Sequence, residues 1–260
     1  MTSKLIVSKH NQLIHASYSL SISEQRILLL CLAKLDSRVK VSENQDFLIS
    51  VDDLAKEIGV EKDNAYRDLR VAVNRLWERE IKLDADNPDS TMRWLYKKAF
   101  FKSNGTVVLN FSPPIIPFIS ELKERFTSYK LKDVAKFQCV YSLRIYELLM
   151  QYKNNNELVL EISHLRNLLE LNTKYERTTE VRRQVIQPAV NDINKHSNLN
   201  VTFSAIKAGR GITHFLFNYD SPSKDPEISE SFLRDHARVG ESREDATKRL
   251  LKELKDMLSE

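Results

Sequence analysis

Glycine and cysteine are scarce in this 260-residue chain, with 5 of the first and 2 of the second. No G-x-x-x-x-G-K-[ST] stretch occurs, so the phosphate-cradling loop of an ATP-hydrolysing protein is missing. The two cysteines, Cys31 and Cys139, support neither a disulfide framework nor a zinc site. Each is expected as a buried free thiol in the first long helix of a repeated unit. Long apolar runs are also lacking. None approaches the ~20 residues that cross a bilayer, and the opening MTSKLIVSKHNQ holds no signal-peptide core or cleavage site. A cytoplasmic location without a membrane partner is therefore expected. The six histidines, His10, His15, His164, His196, His214 and His236, show no close paired spacing, which disfavours a metal-dependent nicking enzyme. The expectation is no enzyme, no metal and no cofactor.

What the chain does contain is one local pattern written twice, 111 residues apart: FLISVDDLAKEIGV (Phe47 to Val60) and LVLEISHLRNLLEL (Leu158 to Leu171). Ile49 matches Leu160, Val51 matches Ile162, Leu54 matches Leu165, Ile58 matches Leu169 and Val60 matches Leu171. In each copy an alternating apolar run passes into apolar residues at helical spacing, so a strand enters a short helix. A longer helical pattern precedes each copy and another follows. Helix, strand, short helix, turn, long helix and two alternating strands is the order of a winged helix, the strand-bearing variant of the helix-turn-helix.

The first copy opens on Ser21-Ile22-Ser23-Glu24, a serine followed three residues later by a carboxylate, which satisfies free amides at a helix start. Phe47 to Val51 is the strand and Asp52 to Ile58 the short helix, with Gly59 placed to end it. Residues 61–64 form the turn, Ala65 to Glu80 the long helix, and Met92 to Phe101 with Thr106 to Phe111 a hairpin around Asn104-Gly105. The connector that follows is too apolar for a loose tether, and Ile119, Leu122, Phe126 and Tyr129 are expected to pack. The second copy runs from a helix at Phe137 to Tyr152, through the strand at Leu158 to Ile162, to a long helix at Arg177 to His196. It ends in a hairpin around Ala208-Gly209-Arg210-Gly211. Pro188 removes a helix hydrogen bond and should kink that long helix. The expected fold is a helix-rich α+β arrangement of two tandem winged-helix domains forming a pseudo-repeat. Their limits are 1–120 and 136–219, with a packed connector at 121–135 and an acidic tail at 220–260 that contains an amphipathic helix pattern capped at Ser242.

Charge is uneven along this plan. The tail from Asp220 to Glu260 has eight Lys/Arg against eleven Asp/Glu, a net −3, which leaves +7 of the overall +4 on residues 1–219. A basic body suits a polyanionic partner. In a winged helix the groups that reach DNA are the turn before the long helix, the first turns of that helix, and the wing. In the second copy these positions hold Lys174, Tyr175, Arg177, Thr178, Thr179, Arg182, Arg183 and Gln184, with Lys207 and Arg210 at the wing tip. Arginine pairs with guanine, glutamine with adenine, and Thr, Tyr and Lys suit phosphate. Helical phase puts Arg182 near the buried stripe of Val181, Val185, Ile186, Ala189, Val190 and Ile193, where it would snorkel over the core edge. A charged helix face alone is commonly only solvated; the turn, helix start and wing together favour DNA. The first copy offers Lys62, Asn64, Tyr66, Arg67 and Arg70 as secondary backbone contacts, but Glu61, Asp63 and Asp68 interleave with them. Its hairpin adds Arg93, Lys97, Lys98 and Lys102.

The segments KHNQLIHASYSLSISEQRILLLCLAKLDS, LNFSPPIIPFISELKERFTSYKL, YSLRIYELLMQYK, LRNLLELNTKYERTTEVRRQVIQPAVNDIN and IKAGRGITHFLFN resemble the iteron-binding plasmid replication initiator (Rep) family, from about Val7 to Asn218. The resemblance implies two winged-helix domains and binding to short direct repeats of double-stranded plasmid origin DNA. It also implies opening of adjacent DNA for host proteins, the host initiator and the replicative helicase. Two self-assembly states are implied too: monomers that initiate, and dimers, paired through the first domain, that repress the gene. The family's DNA-reading helix corresponds to Lys174 through Gln184, although Val181 and Gln184 stand where the family often has an aromatic and a basic residue. The alternative is a winged-helix transcriptional repressor without replication activity.

Overall fold

The computed structural model describes residues 5–59, 65–83, 90–171, 173–209 and 211–220, with positions 236, 238, 241, 242, 245, 246, 249, 250 and 253 of the tail. Residues 1–219 form one unit and the tail another.

Strand β1 (Ile6–His10) runs into the short helix α1 (Asn11–His15), and helix α2 follows (Ile22–Ala33). The expected cap is present: the Glu24 carboxylate accepts from Ser21 N at 2.6 Å, and the Ser21 hydroxyl accepts from Glu24 N. Strand β2 (Phe47–Ser50) passes into α3 (Val51–Asp53), which continues as a π-helical turn (Leu54–Ile58). Gly59, at φ 79°, ends it in the left-handed region that a side chain resists. Helix α4 (Ala65–Trp77) buries Ala65, Leu69, Ala72, Val73 and Leu76. It stops three residues before the expected end, because Glu80 and Ile81 form a short strand, β3 (Glu80–Ile81), paired with β4 (Met92–Arg93). Strands β5 (Leu95–Phe101) and β6 (Thr106–Phe111) complete a three-stranded antiparallel sheet in the order β2-β6-β5. This is a winged helix.

The connector is built in rather than loose. Its strand β7 (Phe126–Lys130) pairs antiparallel with β1, from Ile6 opposite Lys130 to His10 opposite Phe126. Ile119, Leu122 and Tyr129 are buried as expected, but Phe126 is 40% exposed, because alternation along β7 turns Thr127 and Tyr129 inward instead.

The second winged helix repeats the plan in register. Helix α5 (Ser142–Gln151) leads to β8 (Glu157–Glu161) and α6 (Ile162–Leu168), so Val51 and Ile162, 111 residues apart, each open a helix. Helix α5 begins five residues later than the spacing suggested. The backbone N–H groups of Gln138 and Cys139 and the Ser142 hydroxyl all donate to the Asp192 carboxylate, at 2.9, 2.9 and 2.6 Å, in place of an earlier helical turn. Cys139 therefore lies ahead of the helix and is half-buried, whereas Cys31 sits buried within α2. Helix α7 (Thr178–Val181), a π-helical turn (Arg182–Ile186) and α8 (Gln187–His196) form the long helix. Strands β9 (Val201–Ala208) and β10 (Gly211–Tyr219) form the wing, and β10 lies central in the order β8-β10-β9. Helix α8 continues through Pro188, which has no N–H to give and follows closely on the π turn.

Between the two winged helices lies a seam rich in directed polar contacts. Gln25 donates to Val140 O (2.8 Å) and Arg144 to Ala16 O (2.6 Å), while the Arg144 guanidinium lies 3.7 Å from the Tyr18 ring centre. In the tail, Asp245 N donates to the Ser242 hydroxyl at 3.2 Å, a cap at the expected residue, and Ala246 and Leu250 are buried. Among the described residues no helix is long and apolar enough to cross a membrane.

Candidate nucleic-acid interface

The turn ahead of the long helix is held from behind by one side chain. Arg166, on α6, donates through Nη1 to the carbonyls of Leu171 (3.4 Å) and Lys174 (3.3 Å), and through Nη2 to those of Tyr175 (2.5 Å) and Glu176 (2.9 Å). A guanidinium presents five N–H groups in a rigid fork, so one residue fixes the path of the whole turn. Tyr175 needs that support: its φ of 55° is rare for a residue with a Cβ. Its ring packs half-buried on the core. Burial, followed by the bond to Tyr175, holds the Tyr141 phenol well above its usual pKa and so keeps it neutral.

Sequence reasoning overlooked Arg166, although the repeat carried a signal. The matching position 111 residues earlier is Ala55, whose methyl group cannot make the bonds that Arg166 makes.

On this turn Lys174 and Arg177 are exposed, and the helix begins at Thr178 with the Glu180 carboxylate accepting from Arg177 N at 3.3 Å. Thr178 is half-buried and Thr179 exposed. Arg182, Arg183 and Gln184 are exposed in succession, between buried Val181 and buried Val185. Arg182, expected near the buried stripe and snorkelling over the core edge, is exposed with its guanidinium over Phe203, 5.8 Å from the centre of a ring packed against the core. At the wing, Lys207 is exposed and paired with Ile212 across the hairpin. Gly209 has φ 62° and no atom within 4 Å of where a Cβ would stand, so the tip is open to close approach. Arg210 lies outside the described residues. Among the described residues no carboxylate comes within ion-pair distance of Lys174, Arg177, Arg183 or Lys207.

The first copy handles its cations differently. Arg67 pairs with Asp68 (3.1 Å), Lys97 with Asp46 (3.0 Å) and Arg93 with Glu78 (3.4 Å). Arg70 lies over the Phe100 ring at 5.1 Å, and Lys98 over Trp77 at 5.0 Å while donating to Asn74. Tyr66 is half-buried, Lys102 is exposed, and Lys62 and Asn64 lie outside the described residues.

Two winged helices in tandem, one with an unneutralised basic face on its long helix and wing, define a protein of the DNA-binding type. The chain belongs to the initiator replication protein family: residues 6–150 match the model described as "Initiator Replication protein, WH1" and residues 161–219 that described as "Initiator Rep protein, WH2". It is 28% identical over 229 residues to a replication initiation protein of Escherichia coli, covering 84% of this chain and 70% of that one. It is 23% identical over 255 residues to the PI protein of Escherichia coli, covering 83% of each. The crystal structure of the Pi initiator protein in complex with iteron DNA superposes with a TM-score of 0.73 at 22% identity, covering 84% of this chain and 98% of that one.

Proposed function

We propose that this chain initiates replication of a plasmid by binding short direct repeats, iterons, at the origin. The observation that carries the reading is the contrast in how the two copies hold their cations. In the second, Lys174, Arg177, Arg183 and Lys207 face solvent without a carboxylate partner among the described residues, beside Gln184 and Thr179. In the first, Arg67, Arg93 and Lys97 are paired with carboxylates. Free cations gain most from displacing the counterions of DNA. The fold shared with a protein crystallised on iteron DNA supports the same reading.

In this proposal residues 136–219 read sequence, with Lys174, Arg177, Thr178, Thr179, Arg182, Arg183, Gln184, Lys207 and Arg210 at the DNA and Tyr175 shaping the turn. Residues 1–120 supply dimerisation and weaker phosphate contacts through Lys62, Asn64, Tyr66, Arg67 and Arg70, and residues 121–135 join the two. Bound copies strain a neighbouring A·T-rich stretch at a cost of about 1–6 kcal/mol for smooth bending, which such contacts can supply. The opened DNA then receives the host initiator and helicase, and a dimer represses the gene.

Gel shifts on direct repeats of ~20 base pairs, about two helical turns, test the assignment. Reversing Arg177 and Arg183 to Glu abolishes specific binding, whereas reversing Arg67 and Arg70 weakens it less; equal losses would defeat the division of labour. A plasmid carrying this gene and its upstream repeats, with no other origin, replicates if the protein is an initiator. If it fails to replicate while the gene remains repressed, the repressor reading stands instead.

A further inference from the structure

Two histidines that the sequence keeps far apart meet at the seam. His15, at the end of α1 in the first winged helix, and His164, on α6 in the second, bring Nδ1 and Nε2 to 3.3 Å, 149 residues apart along the chain. Their rings are tilted by 41° with centres 5.4 Å apart, and both are half-buried. Two imidazole ligands on one tetrahedral Zn2+, each at about 2.0–2.1 Å, have nitrogens about 3.3–3.4 Å apart. The observed separation matches.

A third donor is at hand. The side-chain oxygen of Gln151, the last residue of α5, is buried with no hydrogen-bond partner, and the same amide interacts with the His15 ring. A buried carbonyl oxygen left unpaired costs free energy, and a cation would relieve it. Among the described residues no group of three His, Cys, Asp or Glu gathers, so the set here is two imidazoles and one amide oxygen. Water would complete the coordination.

We propose that His15, His164 and the Gln151 carbonyl form a site for a divalent transition-metal ion of the Zn2+ class that ties the two winged helices together. His164 lies two residues before Arg166, the brace of the DNA-facing turn, on the same short helix. An ion bound there would stiffen the helix from which that turn is held.

The experiment is a titration of the full, metal-free chain with Co2+, a coloured stand-in for Zn2+, followed by Zn2+ displacement and by thermal unfolding with and without Zn2+. One equivalent of Co2+ should give a visible d–d band that Zn2+ removes, and Zn2+ should raise the Tm. His15→Ala and His164→Ala should each weaken binding by more than about 100-fold, beyond the 10–100-fold that loss of a mere supporting residue costs. His164→Cys should restore it, and His236→Gln should leave it unchanged. Absence of a one-equivalent band in the wild-type chain would overturn the proposal and leave only an imidazole–imidazole hydrogen bond. Binding that survives both alanine variants would overturn it as well.

Discussion

Lys9 and Glu147 form an ion pair at 2.7 Å with side chains only 3% and 0% exposed. Lys9 lies on β1 and Glu147 on α5, so the pair crosses the seam. Burial alone would lower the Lys9 pKa, but the carboxylate outweighs it and the pKa is raised, so the ammonium stays charged. Tyr129 donates its hydroxyl to the same carboxylate, and burial, followed by Glu147, raises its pKa well above the usual value. Such a pair adds little net stability over an apolar replacement, yet breaking it strands a charge.

Lys9→Met should therefore destabilise the chain by up to about 3–5 kcal/mol, because Glu147 keeps its burial and loses its ammonium partner, retaining the Arg144 guanidinium at 3.8 Å and the Tyr129 hydroxyl. Lys9→Met with Glu147→Gln should recover part of that loss, since Arg144 then loses its carboxylate. Urea unfolding followed by circular dichroism measures both, and a double variant no better than the single would show that the pairing is not the source of the loss.

Arg166→Ala removes a brace rather than a DNA contact. It should lower affinity for direct-repeat DNA by about tenfold or more, about 1.4 kcal/mol per factor of ten, while far-UV circular dichroism remains that of a folded chain. Arg166→Lys should rescue little, since an ammonium has three donors and cannot serve four carbonyls. Unchanged binding in the alanine variant would mean that the turn keeps its path unaided.

Salt dependence separates positioning contacts from reading contacts. Each phosphate contact contributes about −0.9 to the slope of log affinity against log salt concentration. Lys174→Ala and Lys207→Ala should each make the slope shallower by about one and weaken all DNA sequences alike. Gln184→Ala should leave the slope unchanged while relaxing preference at one base pair. A slope unaffected by either lysine would remove both from the phosphate contacts.

Stability should fall as acid is added below the ordinary histidine range. Burial, then His164, depresses the His15 pKa in the folded chain, with Arg144 adding to the effect and Gln151 opposing it. The unfolded chain therefore binds more protons between the folded His15 pKa and about 6.5, and stability drops as pH falls through that window. His15→Gln should flatten this part of a Tm-against-pH curve. An identical curve for the variant would assign the acid sensitivity to other groups.

The seam and the brace explain how far the sequence could be read. The repeat at 111 residues, the cap at Ser21 and Glu24, the helix stop at Gly59 and the wing around Gly209 are local patterns, and each was legible because neighbours in the chain decide it. The start of α5 was not, because Asp192, more than 50 residues away, takes the amides of Gln138 and Cys139. His15 and His164 look unrelated in sequence for the same reason. Arg166 was hidden differently: in a short amphipathic helix an arginine reads as surface charge, and only comparison with Ala55 of the other copy marks it.

The widened turn at Arg182–Ile186, where Gln187 N donates back five residues to Arg182 O, has a consequence for how this helix can change. Such a turn holds one residue more than an α-helical turn between the same two core anchors. Here the supernumerary position falls on the outer face, where Arg182, Arg183 and Gln184 stand side by side in solvent. Deleting one of them would restore ordinary winding and leave Val181 and Val185 anchored, at the loss of one letter from the helix's reading alphabet. The winding defect thus lets this surface grow or shrink by one side chain without rebuilding what lies beneath it.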